Sequence, residues 1–141
     1  MATVNVYLTF DGQCEEAFQH YRSIFGGDFA SLSRFSEMPD DGSFSVDEAH
    51  RDRLMHVTLP ISEETALMGS DTLPGAGPEI VTGNNFSISI GPDSREQADH
   101  FFEALSEGGS ETMPMSEQFW DAYFGMCTDR FGIQWMINYT G

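Results

Sequence analysis

His56 is the residue best suited to acid–base chemistry, because an imidazole titrates near neutrality and His56 sits in a strand-like run over 53–60. Period-two alternation puts His56 and Thr58 on one face and Met55, Val57 and Leu59 on the other. If the first face lines a cavity, His56 is a candidate general acid/base or orienting donor; otherwise it is a hydrogen-bonded structural histidine. The other imidazoles offer less: His20 and His100 fall off the apolar stripes of helix-like segments, and His50 stands beside Arg51-Asp52-Arg53. A second group is aromatic. Phe119, Trp120, Tyr123 and Phe124 either wall a pocket for a planar or apolar ligand or pack in a core or a dimer interface. A third group places polar residues on otherwise apolar strands: Asn5, Tyr7, Asn85, Ser87 and Ser89. On the last strand Gln134, Met136 and Asn138 alternate with Trp135, which is expected to pack under a helix. Buried polar groups need partners, so these residues satisfy one another, hold water or bind a ligand.

Other site chemistries find no support. Cys14 falls on an apolar helical face and Cys127 in a strand-like run, so both read as small buried hydrophobes in a reducing cytoplasm. The acidic stretch 37–52 (Glu37, Asp40, Asp41, Asp47, Glu48) lacks the ligand order of an EF-hand and reads as a solvated loop. Gly75-Ala76-Gly77-Pro78 is no dinucleotide fingerprint, since Pro78 removes an amide donor. No G-x-S-x-G, P-loop or H-E-x-x-H motif occurs.

Composition narrows the partners. The 141 residues carry 23 acidic side chains against six arginines and no lysine, for a formal net charge of -17. Such a surface repels nucleic-acid phosphates and anionic membranes. No run approaches the roughly 18 apolar residues of a membrane span, and no secretory leader pattern opens the sequence. The expectation is a cytoplasmic protein whose partner is a small molecule.

The elements that must position these residues form a repeat. A strand over 3–10, a helix from Cys14 to Phe25 ended by Gly26-Gly27, and strands near 28–36, 53–60 and 64–70 make the first half. Asp11-Gly12 is expected to supply the helix N-cap. The second half starts with a strand over 85–90 and a capping box at Ser94-Arg95-Glu96-Gln97. Its helix ends at Gly108-Gly109, and strands follow near 111–117, 122–128 and 132–139. Asn5 maps to Asn85 at a shift of 80, and Ala17, Tyr21 and Ile24 map to Ala98, Phe102 and Leu105 at 81. The fold class is therefore α+β: one domain over 1–141 made of two βαβββ modules, about 1–72 and 80–141, enclosing a cavity.

The repeat, with Phe10-Asp11-Gly12-Gln13-Cys14-Glu15-Glu16-Ala17-Phe18, Met55-His56-Val57, Leu67-Met68-Gly69-Ser70-Asp71 and the block from Phe119 to Asn138, resembles the vicinal oxygen chelate (glyoxalase/bleomycin-resistance/dioxygenase) superfamily. It resembles most the PhnB-like, demethylubiquinone methyltransferase-like branch. The resemblance implies a homodimer and a cavity whose metal ligands, in the superfamily's metalloenzymes, are His, Glu or Gln. The matching positions here are Asn5, Met68, Asn85 and Met136, which are poor ligands for Zn, Ni or Fe. No glycine-rich strand-to-helix turn suits S-adenosylmethionine. The resemblance thus implies a small-molecule-binding protein without metal or cofactor. Its ligand-binding residues would be Asn5, Tyr7, His56, Met68, Asn85, Ser87, Trp120, Tyr123, Gln134, Met136 and Asn138. The alternative is an enzyme, a lyase, isomerase or dioxygenase, that uses a divalent metal or His56.

Overall fold

In the computed structural model, which describes residues 2–38 and 46–141, each half of the chain adopts the expected order of one strand, one helix and three strands. The first contains β1 (Val6–Phe10), α1 (Cys14–Phe25), β2 (Ser31–Arg34), β3 (Leu54–Pro60) and β4 (Ala66–Asp71). Alternation along β1 buries Leu8 and Phe10 and leaves Tyr7 and Thr9 outward. The helix buries Cys14, Ala17, Phe18, Tyr21 and Ile24, at the spacing of a single apolar stripe. The sheet order is β1-β4-β3-β2, with β1 parallel to β4 and the other neighbours antiparallel. Two short 3-10 turns, Phe35–Glu37 and Glu48–His50, lie at the ends of the acidic stretch. Asp40 and Asp41 of that stretch lie outside the described residues.

The second half repeats this plan with β5 (Ile88–Ile90), α2 (Arg95–Ser106), β6 (Ser110–Glu117), β7 (Tyr123–Thr128) and β8 (Gln134–Tyr139). Its sheet order is β5-β8-β7-β6, and β5 runs parallel to β8. Ala98, Phe101, Phe102 and Leu105 of α2 are buried, as are Trp135 and Ile137 of β8. The chain forms two compact units, Met1–Ile80 and Val81–Gly141, divided just beyond the Gly/Pro-rich connector. The α+β class with two βαβββ modules is as expected.

Three local expectations are corrected. The first strand of each module is shorter than its sequence pattern, so Asn5 and Asn85 stand outside β1 and β5. The N-cap of α1 is Gln13, with no side-chain bond. Asp11 instead accepts from Arg53 Nη1 at 2.9 Å and from Thr72 Oγ1 at 3.1 Å. The start of α1 is held from a distant strand: Asp71 Oδ1 accepts from the Gly12 and Cys14 amides, each at 2.9 Å, and Oδ2 accepts from the Leu54 amide at 3.0 Å. At α2 the Ser94 hydroxyl accepts from the Gln97 amide as expected. The Gln97 carbonyl, however, reaches back to the amide of Asp93.

Candidate functional site

The side of each sheet away from its helix carries the polar and thioether residues. In the first unit the register sets Tyr7 opposite Met68 and Met68 opposite Thr58, a row across three strands. His56 lies two residues along β3 from Thr58, and its Nε2 is 2.8 Å from the Thr58 hydroxyl. Its ring centroid is 6.0 Å from that of Tyr7, which is 49% exposed. Tyr7, His56 and Met68 are therefore brought together on one face of the first sheet. Asn5 is not among them: its Oδ1 accepts from the Ala66 amide at 3.1 Å and so continues the β1–β4 pairing.

In the second unit the register aligns Ser89, Met136, Met126 and Met113 across four strands. Asn138 lies opposite Phe124, against which Trp120 packs at 5.7 Å. Phe119, 95% exposed, meets Trp120 edge-on at 4.9 Å. Ser87 is half-buried just before β5, and Asn85 is exposed. The Gln134 amide is committed to the backbone, donating to the carbonyls of Gly83 (3.1 Å) and Phe86 (3.2 Å). Tyr123 belongs to the other side of the sheet. Its hydroxyl donates to Asp99 of α2 at 2.6 Å, and the Arg95 guanidinium lies 4.6 Å above its ring. The hydrogen bond to Asp99 raises its pKa above the ordinary phenol value. Met113 and Met126 were missed. The alternation Phe124, Met126, Thr128 was visible in the sequence, but the pairing of Met126 with Met113 across two bulges was not.

The residues do not fit a divalent metal. On the side away from the helices the two parallel strand pairs set Tyr7 opposite Met68, Thr9 opposite Ser70 and Ser89 opposite Met136, while Asn5 and Asn85, two of the four expected positions, lie outside the strands. Thioethers and hydroxyls supply no charge to balance a divalent ion. Among the described residues no three His, Cys, Asp or Glu side chains gather in one place. The buried carboxylates have other work: Asp71 is described above, and Asp129 accepts from the amides of Phe131 and Ile133 and from Trp135 Nε1. Cys14 and Cys127 are buried and free. Desolvation, aided by Asp71 and Asp129, drives both thiols up, Cys127 to about 12, so neither is a nucleophile at neutral pH. A cleft of about 450 Å³ lies at the connector, lined by Asp11, Thr72, Leu73, Pro74, Glu79 and Ile80 among others. It contains none of the expected site residues, and the Asp11 carboxylate in its wall is already paired with Arg53.

Residues 2–138 match the family model described as 3-demethylubiquinone-9 3-methyltransferase. Protein PA1353 from Pseudomonas aeruginosa is 40% identical in sequence, with 99% of this chain and 98% of that one covered and a TM-score of 0.84. Protein YjdN of Escherichia coli (strain K12) is 29% identical over 138 residues, covering 94% of this chain and 91% of its own. A glyoxalase/bleomycin resistance protein from Albidiferax ferrireducens T118 shares the fold alone, at 14% identity and a TM-score of 0.66 over 96% of this chain and 97% of that one.

Proposed function

The chain belongs to the family described as 3-demethylubiquinone-9 3-methyltransferase and shares the fold of a glyoxalase/bleomycin resistance protein, and from that premise we propose that it binds a small molecule, as a PhnB-like member of the glyoxalase/bleomycin-resistance superfamily, without using a divalent metal. One observation carries this reading: on the side away from the helices, the strand positions that face each other in the parallel pairs offer Tyr7, Thr9, Met68, Ser70, Ser89 and Met136, a set with no imidazole and no carboxylate. Half-buried polar and thioether side chains turned away from the helices are what a pocket lining requires. Tyr7, His56 and Met68 serve in the first unit and Trp120, Met136 and Asn138 in the second. A homodimer is the assembly we propose.

Methyl transfer, which the family's description names, finds no S-adenosylmethionine site at the turn between β1 and α1. The Gly12 and Cys14 amides there are already bound to Asp71, and we derive no step through that cofactor. Catalysis by His56 is the second reading, favoured by the contact with Thr58 that fixes its imidazole on the outward face.

Metal titration tests the proposal. After dialysis against a chelator, calorimetry with Zn(II) and Mn(II) in moderate salt is expected to show only weak, non-stoichiometric binding that Met68→Leu and Met136→Leu leave unchanged. A one-to-one site lost in either variant would overturn it. Turnover that His56→Gln abolishes while ligand binding survives would establish the second reading.

A further inference from the structure

We infer that the outward face of the second unit's sheet takes a planar, uncharged ring system bearing one hydrogen-bond donor, which the Asn138 amide receives; this deepens the binding reading above and rests on it. Met136, Met126 and Met113 are register neighbours on three adjacent strands. Thioethers are unbranched and polarizable, adapt to irregular shapes and pack well on aromatic rings. Beside this row Trp120, 46% exposed, stands edge-on against Phe124, which lies opposite Asn138. Apolar floor and aromatic wall thus adjoin on one face.

Charge supports a neutral occupant. The acidic residues Glu111 and Glu117 of β6 pair with Cys127 and Tyr123, which places them on the helix side of the sheet. The outward positions of the register hold only apolar or uncharged polar residues, on a chain whose net charge is -17. An ionic ligand would meet no countercharge there. Asn138 supplies the directional element: its Oδ1 is buried and has no hydrogen-bond partner among the described residues. An unpaired buried acceptor already carries its desolvation cost in the free protein. A ligand donor that draws this carbonyl outward recovers that loss. In the first unit His56 and Thr58 already partner each other, so that face makes no such demand.

The test uses 2-naphthol and 2-methoxynaphthalene, which share a ring system and differ in the O–H, with binding followed by calorimetry and tryptophan fluorescence at pH 7. The naphthol is expected to bind about fivefold to tenfold more tightly. Asn138→Leu should bring the two affinities together while leaving the ether's affinity in place, and Trp120→Ala should weaken both. Asn138→Ala replaces the leucine variant if circular dichroism shows that the latter folds poorly. Equal affinities in the unmodified protein, or a naphthol advantage that survives both Asn138 variants, would overturn the role of the amide. If neither compound binds, the ring-system inference falls. The broader binding reading is then decided separately, by whether a fragment screen shifts the NMR resonances of Tyr7 and His56.

Discussion

At the residue scale the informative feature is which polar atoms are already committed. Asp71 and Asp129 are the two buried carboxylates among the described residues, and each spends both oxygens on N–H donors. Asp71→Asn would turn an amide NH2 toward a backbone N–H, leaving a buried donor unmatched. A loss of about 2–3 kcal/mol is expected by urea denaturation, with the outward face unchanged. Glu15 offers a test by pH. Arg34 grips its carboxylate through Nη1 at 2.8 Å and Nη2 at 2.7 Å, and this hydrogen bonding lowers the Glu15 pKa. Stability linked to a depressed acid is present above the unfolded value, about 4.3, and is lost as pH falls through the folded one. Glu15→Gln should therefore be slightly less stable at pH 7, by under about 1 kcal/mol because the pair is partly exposed. The gap in melting temperature should narrow as pH falls below the unfolded value and through the lower folded one. A gap that persists unchanged into strong acid would mean that the pair contributes through packing.

At the element scale each helix seats an aromatic ring in a hollow that a glycine leaves in its sheet. Phe18 of α1 lies over Gly69, and Phe102 of α2 lies over Gly125. A Cβ at Gly69 would come within 2.7 Å of the Phe18 ring and 2.8 Å of the Leu8 carbonyl oxygen, and the latter is backbone that cannot swing aside. Gly69→Ala should cost about 1–3 kcal/mol. Chemical denaturation checks this, and a neutral substitution would show that α1 shifts freely on its sheet. The sidedness set by these helices also sorts the candidate site. Tyr123 is drawn to α2 by Asp99 and Arg95, whereas Phe124, its neighbour in sequence, takes the outward face.

At the scale of the whole molecule the excess of carboxylates dominates. With 23 acidic residues and six arginines, the folded chain is under self-repulsion that added salt screens. The melting temperature is expected to rise from low to molar NaCl, and a flat profile would show that self-repulsion costs the folded state little. No described helix is long and apolar enough to cross a membrane.

The sequence by itself determined the repeated strand–helix–three-strand order, the apolar stripe of each helix and the side of the strand taken by Tyr7, His56, Met136 and Asn138. These follow from periods of two and 3.6 residues, which are local and survive without knowledge of neighbours. Tertiary structure alone decided that Asp71, more than fifty residues away in sequence, caps α1 and that Gln134 is taken by the Gly83 and Phe86 carbonyls. It likewise decided that Met113, Met126 and Met136 form one row. Strand register and remote hydrogen-bond partners depend on chain segments meeting in space, and bulges such as those in β6 shift the pairing in ways that no local pattern records.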